Sequence, residues 1–238
     1  MAKIKQGKFI VFEGIDGSGK STQTNLLTKY LRNNGHQVVK IDFPQHGQKS
    51  SGLVDEYLTG KYGTADEVGP YRASIFYACD RYDASFQIRK WLSEGKIVIA
   101  DRYLASNIGH QGGKIKNKVE WRKYVKWLYN LEYNIFGIPK PNITIILKSD
   151  PYYSLKLADK ITDEEKLARR KSYLDGAKRD IHETDKTHLI NSLSSYLQAA
   201  EEFPKDFKVV ECIEGGKLLT PEVIHQKIIK TINKFLKI

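Results

Sequence analysis

The residues best able to do chemistry lie within residues 8–22, KFIVFEGIDGSGKST. Gly14 to Ser21 have the GxxxxGK[ST] spacing, in which glycines let successive backbone N–H groups point inward at a phosphate. Lys20 can reach the outer phosphates of a nucleotide, and the Ser21 hydroxyl can bind the magnesium that accompanies them. A glycine-rich turn without a ligand is the alternative, but both flanks of the motif fit the strand and the helix that it needs. We expect the nucleotide to contact Gly14, Ile15, Asp16, Gly17, Ser18, Gly19, Lys20, Ser21 and Thr22.

Asp16 is the residue of this loop whose charge opposes a phosphate ligand. A carboxylate among N–H groups that are directed at phosphate would repel that ligand, so we expect its side chain to point elsewhere. The predicted target is a metal-bound water or a hydroxyl group of the phosphate acceptor, and a carboxylate turned to solvent is the alternative.

Asp101 ends the buried strand that we predict at residues 96–101, KIVIAD, and Arg102 follows it directly. In a fold with a phosphate loop, a carboxylate at the carboxyl end of another strand is typical of magnesium handling. Arg102 would then supply a cation to the transferring phosphates, and a solvent-exposed Asp–Arg pair is the alternative. Residues 103–111, YLASNIGHQ, are largely small or polar, and Asn107 and Gln111 among them suit a helix start that faces a ligand.

The helix predicted at residues 71–95 carries two different sets of side chains. Tyr77 and Arg81 are four residues apart, so an aromatic plane and a planar cation lie on one face and could hold a base. An exposed tyrosine in contact with the arginine stem is the alternative. A second face carries an apolar stripe that we expect to be buried in the core, formed by Ile75, Cys79, Tyr82 and Phe86.

Phe43 and Pro44 follow the strand predicted at residues 37–41. Because Pro44 favours an extended Phe43, the aromatic ring could form the wall of a ligand pocket at the carboxyl end of that strand. An aromatic side chain that covers the core is an equally good interpretation of this segment.

A parallel α/β fold is needed to bring these positions together. Strand–helix–strand units with crossovers of this length are right-handed and parallel, and their ligands bind at the carboxyl edge of the sheet. Five strands are predicted, at residues 9–12, 37–41, 96–101, 143–147 and 207–213. Helices are predicted at residues 21–34, 51–58, 71–95, 121–136 and 221–236.

Composition limits the class of protein. A chain of 238 residues with 40% hydrophobic content most simply forms one domain, and without a long apolar run it is expected to be cytosolic. Cys79 and Cys212 lack metal-ligand spacing and are expected to be reduced core residues. The net charge of +11 comes mainly from scattered lysines. This pattern favours a lysine-rich surface with a site for small polyanions, rather than nucleic acid or a membrane as a partner.

Residues 163–182 are densely charged. Such a segment is usually a solvated surface, but in an enzyme that moves phosphates it could be a lid whose cations close over them. The candidate cations are Arg169, Arg170, Lys178 and Arg179.

Together these residues resemble the thymidylate kinase family, whose members use ATP and magnesium to phosphorylate dTMP to dTDP. The resemblance covers nearly the whole chain and rests on FEGIDGSGKST, Phe43-Pro44, residues 77–81, residues 101–111 and the charged segment that runs to Glu183. It implies an α/β fold of the P-loop nucleoside monophosphate kinase type, with a five-stranded parallel sheet and helices on both faces. It also implies a single domain over residues 1–238, a mobile lid at about residues 160–183, and a homodimer.

The resemblance also implies a role for individual residues. Asp16 would meet the acceptor's sugar hydroxyl or a metal-bound water, and Phe43-Pro44 would pack near the sugar. Tyr77 would stack on thymine and Arg81 would bond the base. Arg102 would bridge the acceptor and donor phosphates.

Further roles follow from the same resemblance. Asn107 and Gln111 would line the base and sugar, and magnesium would be handled by Ser21, Asp101 and Glu183. In some thymidylate kinases a basic residue of the phosphate loop contacts the transferring phosphoryl group, but Gly17 follows Asp16 here. The lid would therefore supply that cation, with Arg170 and Arg179 as the leading candidates because a guanidinium fits phosphate oxygens well.

This chain differs from many relatives at Gln45-His46, where they have Arg or Tyr, and at His110, where many have Tyr. Two other functions stay open on the sequence alone. A deoxynucleoside kinase would share the phosphate loop but would need a general base near a 5′-hydroxyl. A regulatory nucleotide-binding module that docks nucleic acid would bind ATP without turnover.

Overall fold

The structure is a computed structural model that describes residues 6–158 and 186–236. The main strands are β1 (Lys8–Glu13), β2 (Val38–Asp42), β3 (Ile97–Asp101), β4 (Ile143–Lys148) and β5 (Phe207–Glu211). They form one sheet in the order β2-β3-β1-β4-β5, in which every neighbouring pair is parallel. The predicted five-stranded parallel sheet is therefore confirmed.

Helices cover both faces of this sheet, because β1 is apolar on both of its sides. Phe9 and Val11 pack in one core cluster and Ile10 and Phe12 in the other. The helices are α1 (Lys20–Asn33), α2 (Gly52–Leu58), α3 (Ala65–Ser93), α4 (Leu104–Ser106), α5 (Lys118–Tyr129), α6 (Pro151–Ala158), α7 (Lys186–Glu202) and α8 (Pro221–Leu236). The first core cluster is completed mainly by α3, α5 and α7, and the second by α1 and α8.

Several boundaries differ from the sequence prediction. The strand expected at residues 207–213 ends at Glu211, and Ile213–Glu214 instead pairs antiparallel with Lys217–Leu218, as β6 and β7. Gly215 and Gly216 both have positive φ, which suits a tight hairpin turn between these two strands. After α4 the chain continues as a π-helical stretch over Asn107–Gln111 and a 3-10 turn over Gly112–Lys114. A similar π-helical stretch, Asn130–Ile135, follows α5.

Helix α3 is longer than predicted, and its apolar stripe faces outward. It begins with a capping box between Thr64 and Glu67 and changes direction at Gly69, where φ is +73°. The expectation that Ile75, Tyr82 and Phe86 are buried is wrong, because they are 40%, 42% and 57% exposed. Small side chains allow the opposite face to approach the core, and its buried members include Ala73, Ser74, Ala78, Ala84 and Ser85.

The structure also describes the burial of the two cysteines and the apolar length of the helices. Cys79 and Cys212 are both free thiols, but only Cys212 is buried, while Cys79 is half-buried. Among the helices within residues 6–158 and 186–236, none is both long and apolar enough to cross a membrane.

Candidate active site

The phosphate loop connects β1, at the centre of the sheet, to α1. Lys20 is buried at the start of α1, and its Nζ donates to the carbonyl oxygens of Gly14 at 3.0 Å and Ile15 at 2.9 Å. The loop thus holds the lysine ammonium close to its own backbone. Phosphate oxygens entering the loop would replace these carbonyl contacts of Lys20.

Gly17 of the loop lies directly against helix α6. A Cβ atom at this position would be 1.9 Å from the backbone oxygen of Ser154, and Gly17 also has φ of +74°. No larger residue fits there without moving the loop away from α6. The structure therefore explains why the loop carries no cation after Asp16.

Asp16 forms an ion pair with Arg102, which follows β3. The two residues are 86 positions apart and meet because β1 and β3 are neighbours in the sheet. Burial opposes ionisation of Asp16, but the nearby cations Arg102 and Lys20 lower the pKa of this carboxyl well below its usual range. Asp16 is thus an ionised carboxylate at the mouth of the loop that is paired with a cation.

The backbone of Arg102 has a φ of +72°, the only positive φ of a non-glycine residue in the described chain. Such a conformation costs of order 1–3 kcal/mol and persists where the surroundings determine it. Here the Arg102 N–H donates to the Phe12 oxygen at 2.9 Å, and Nη1 lies 3.3 Å from Ser106 Oγ and 2.9 Å from His110 Nε2. The guanidinium is thereby directed over the phosphate loop rather than into solvent.

Glu13, at the end of β1, organises the segment around Arg102 and was missed by the sequence reasoning. Its carboxylate is fully buried and accepts from the Tyr103 N–H at 2.8 Å, the Ser106 hydroxyl at 2.7 Å and the Tyr196 hydroxyl at 2.8 Å. Burial raises the pKa of Glu13, although Arg102 and these donors oppose the rise. The signal in the sequence that could have indicated Glu13 is a single acidic residue at the end of an apolar strand.

Tyr77 and Arg81 lie on α3 as expected, but the surroundings of Arg81 are not those of an exposed clamp. The Arg81 side chain is buried and makes two hydrogen bonds to Glu132, from Nε at 2.6 Å and from Nη2 at 2.7 Å. Tyr77 is half-buried next to Tyr57, with ring centroids 6.3 Å apart. The exposed-surface alternative is therefore wrong for Arg81, and its contact with a base stays a prediction.

Phe43 and Pro44 follow β2 and are joined by a cis peptide bond. The Phe43 ring is 5% exposed and packs on Tyr103 at a centroid distance of 5.6 Å, whereas Pro44 is half-buried. The interpretation of Phe43 as a core aromatic thus receives direct support, while its contact with a sugar stays a prediction.

Asn107 and Gln111 lie in the π-helical stretch and are almost fully buried. Asn107 Nδ2 donates to the Ser74 oxygen at 3.1 Å, which ties this stretch to α3. Gln111 Oε1 is buried and lacks a hydrogen-bond partner among the described residues. Since buried polar atoms are normally paired, this oxygen is a candidate ligand contact.

Comparison with known proteins identifies the family. A sequence profile described as "Thymidylate kinase" matches residues 12–209. The chain belongs to the thymidylate kinase family. A thymidylate kinase of Plasmodium falciparum is 31% identical over 65% of this chain and 68% of its own length. A second thymidylate kinase, from Thermoanaerobacter sp., is 30% identical over 97% of this chain and 100% of its own length.

A solved thymidylate kinase structure from Candida albicans supports the same assignment. It has a TM-score of 0.68 and 25% sequence identity, and the match covers 96% of this chain and 92% of that one. The resemblance found in the sequence is thus confirmed, and the fold is that of a thymidylate kinase.

The predicted metal ligands in this thymidylate kinase family member are few, and they are oxygen atoms. Within residues 6–158 and 186–236, no group of three or more His, Cys, Asp or Glu side chains could hold a metal ion. A magnesium site does not need such a cluster, because magnesium keeps several waters and binds few protein groups together with substrate phosphates. Ser21, partly buried at the start of α1, and Asp101, buried at the end of β3, carry oxygen atoms of the kind that magnesium binds, and their role as ligands stays a prediction.

Five predicted site residues lie outside the described residues. They lie in the lid predicted at about residues 160–183 and are Arg169, Arg170, Lys178, Arg179 and Glu183. Their roles stay predictions. Thr22 of the nucleotide loop is described and lies exposed on the first turn of α1.

Proposed function

We propose that this chain is an ATP:dTMP phosphotransferase that transfers the γ-phosphate of ATP to dTMP and forms dTDP. The observation that carries the proposal is the ion pair between Asp16 of the phosphate loop and Arg102 after β3. This pair places a guanidinium beside the donor loop, in a position to meet a second, phosphorylated substrate. Membership of the thymidylate kinase family indicates which substrate that is.

In the proposed reaction, the loop and Lys20 bind the donor phosphates through backbone N–H groups and the ammonium. The acceptor is a phosphate oxygen of dTMP, which needs positioning and charge neutralisation more than deprotonation. Arg102 would hold the acceptor phosphate close to the donor phosphate, and Asp16 would fix the guanidinium and contact the acceptor's sugar hydroxyl or a metal-bound water. Arg170 and Arg179 of the lid would add positive charge during transfer.

Magnesium would neutralise charge on the donor phosphates, with Ser21, Asp101 and Glu183 as the residues that hold it and its waters. Its binding fits the small number of oxygen ligands at this edge of the sheet.

The acceptor base would be held by the residues on α3 and in the π-helical stretch. Tyr77 offers a stacking surface, and Arg81 lies one helical turn further along the same face. The unpaired Gln111 Oε1 can accept from an N–H of the base, and Asn107 would line the same site. Phe43 and Pro44 would pack near the sugar.

A nucleoside kinase is disfavoured by the electrostatics of the same site. It would need a general base with a pKa near the working pH to take the proton of a 5′-hydroxyl. Asp16 has a lowered pKa and is paired with Arg102, so it is a weak base. The Glu13 carboxylate already accepts three hydrogen bonds.

The proposal is tested by following ADP formation with dTMP, dUMP, thymidine or no acceptor. We expect rapid ADP formation with dTMP and almost none with thymidine or without acceptor. Turnover with thymidine alone would indicate a nucleoside kinase. ATP binding without turnover would indicate a regulatory module, and a steep salt dependence of nucleic-acid binding would support that reading.

We also propose that the protein is a homodimer and is cytoplasmic. The homodimer is supported by the exposed apolar face of α3 that contains Ile75, Tyr82 and Phe86. We expect the natural chain to have a dimer mass by light scattering and Phe86→Glu to shift it toward monomer. Val119→Glu, at a site that is 58% exposed on α5, is the matched control and should leave the mass unchanged.

A further inference from the structure

We propose that His110 and His188 form a neutral histidine pair that positions the guanidinium of Arg102. This inference rests on the proposed role of Arg102 in phosphate transfer. Neither histidine needs to touch a substrate, so both are positioning residues rather than catalytic ones.

The geometry is a chain of polar contacts that runs from Arg102 to α7. Arg102 Nη1 lies 2.9 Å from His110 Nε2, and His110 Nδ1 lies 3.2 Å from His188 Nε2. The two ring planes are only 26° apart with centroids separated by 5.4 Å. The rings therefore meet edge to edge, which is the arrangement of a hydrogen bond between them. Ser192 Oγ lies 3.4 Å from the same His188 nitrogen.

Arg102 determines where the hydrogen atoms lie in this series of contacts. A guanidinium has only N–H donors, so His110 Nε2 must offer a lone pair to it. Neutral His110 then carries its proton on Nδ1 and donates that proton to His188 Nε2. His188 Nε2 is an acceptor in turn, so the proton of neutral His188 lies on Nδ1. Both rings thus have the same tautomer, and both are uncharged.

The arrangement passes a change at His188 on to Arg102. If His188 took up a proton from solvent on Nε2, this new N–H group would point at the N–H group of His110 Nδ1. The clash would be avoided only if the His110 Nδ1 proton left. His110 stays neutral only if it then carries a proton on Nε2, and that N–H would face the donors of Arg102. If the His110 Nδ1 proton stays, the hydrogen bond between the two histidines is lost. If His110 instead carries its proton on Nε2, the hydrogen bond from Arg102 to His110 is lost and that contact becomes repulsive.

The charged groups that act on His110 lie in the phosphate loop, at the start of α1 and after β3, and His188 and Tyr196 face it from α7. Arg102 and Lys20 are cations, Asp16 is an anion, and Tyr196 of α7 presents its ring at 5.9 Å. Burial and the Arg102 charge hold the pKa of His110 well below its ordinary value, against the opposing effect of Asp16. His110 is therefore uncharged at neutral pH, as the chain of hydrogen bonds requires.

Close packing between the π-helical stretch and α7 keeps the pair in place. A Cβ atom at Gly109 would lie 2.2 Å from the Tyr196 ring, so this glycine allows α7 to approach. Tyr196 also donates to Glu13, the carboxylate that orders the backbone next to Arg102. Both contacts hold α7, and with it His188, against the Arg102 segment.

Substitutions separate hydrogen bonding from shape. His110→Phe and His188→Phe keep a ring but remove the polar contacts, whereas His110→Gln can still accept from Arg102 and donate to His188. We expect the Phe variants to lower kcat by about ten- to a hundredfold, as displacement of a positioned group by about 1 Å does, with little change in the KM for ATP. His110→Gln should recover most of the loss. His225→Phe is the matched control, since this half-buried histidine on α8 contacts Tyr30 and should keep full activity.

The tautomers provide a readout that does not depend on catalysis. In the natural chain, ¹⁵N spectra of the imidazoles at neutral pH should show protonated Nδ1 and unprotonated Nε2 for both His110 and His188. In His188→Phe, His110 should no longer be restricted to this tautomer. A protonated Nε2 on either ring of the natural chain, or unchanged kcat in both Phe variants, would overturn the inference. Failure of the natural chain to phosphorylate dTMP would instead overturn the proposed function, and the spectra would still decide the state of the pair.

Discussion

The guanidinium of Arg81 and the carboxylate of Glu132 form a two-bond ion pair in the protein interior, with bond lengths of 2.6 and 2.7 Å. Both side chains are almost inaccessible to solvent. The pair joins α3 to the π-helical stretch after α5, 51 residues further along the chain. A residue expected to bind substrate therefore also holds two elements of the fold together.

We predict that Glu132→Ala destabilises the protein by about 3–5 kcal/mol, because it leaves the Arg81 charge buried without its partner. Urea unfolding followed by circular dichroism measures the change. Glu120→Ala, on the exposed surface of α5, is the control and should change stability by less than about 0.5 kcal/mol. A loss below about 1 kcal/mol for Glu132→Ala would contradict the account of this pair.

A double variant separates the structural role of Arg81 from a role in binding. Replacing a buried ion pair by apolar residues of similar size is often neutral for stability, so Arg81→Met with Glu132→Leu should recover much of the stability lost in Glu132→Ala. If Arg81 also bonds the base, the double variant should fold yet show a raised KM for dTMP. A folded double variant with an unchanged KM for dTMP would leave Arg81 a purely structural residue.

Lys114 makes stability depend on pH in alkaline solution. Burial lowers the pKa of Lys114 from its ordinary 10.5 to about 8, although its Nζ contacts the Tyr57 hydroxyl at 3.1 Å and the Ala65 oxygen at 3.2 Å. Between these two pH values the unfolded chain binds a proton that the folded chain does not, so stability should rise with pH. Lys114→Met lacks this proton. The free energy of unfolding of the natural chain, measured relative to this variant, should therefore increase from about pH 8 to 10.5. A relative decrease over that range would show that the charged lysine is favoured in the folded state.

Tyr77→Ala should raise the KM for dTMP by roughly one or two decades, because stacking on a base is worth about 1–3 kcal/mol by alanine substitution. The KM for ATP should stay unchanged, since the proposed donor site is the phosphate loop and Tyr77 lies on α3. Tyr77→Phe retains the ring and should behave like the natural chain. Initial-rate measurements at varied dTMP decide this, and an unaffected KM for dTMP in Tyr77→Ala would remove Tyr77 from the acceptor site.

Lys20→Ala should remove nearly all phosphate transfer and leave dTMP binding measurable by calorimetry, because the Lys20 ammonium lies in the donor loop. Lys29→Ala, on the exposed side of α1, should retain activity. Equal loss of transfer and of dTMP binding in Lys20→Ala would mean that the loop also shapes the acceptor site.

The sequence predicted the parts of this protein that depend on local pattern. The buried strands have continuous apolar runs and the phosphate loop has fixed spacing, so the sheet and the loop between β1 and α1 could be located from the sequence. The stripe on α3 shows the limit of periodicity. Spacing indicated that Ile75, Tyr82 and Phe86 share a face, but it could not indicate whether that face points inward.

Contacts between residues distant in the chain could not be read from the sequence. Glu132 lies in a π-helical stretch that no pattern indicated, and His188 and Tyr196 belong to α7, a helix that was not predicted from the sequence. Glu13 was visible as an acid at the end of an apolar strand, but its three donors come from the Arg102 segment and from α7. These partners required the tertiary structure.

The central claim is that the site joined by Asp16 and Arg102 transfers phosphate from ATP to dTMP. The most direct measurement is ³¹P NMR of the purified natural chain with ATP, magnesium and dTMP. We predict that the β-phosphate resonance of dTDP grows in step with that of ADP, with no matching inorganic phosphate, and that Arg102→Ala largely abolishes both signals. Formation of ADP with inorganic phosphate in place of dTDP, or dTDP formation at the natural rate in Arg102→Ala, would contradict the account.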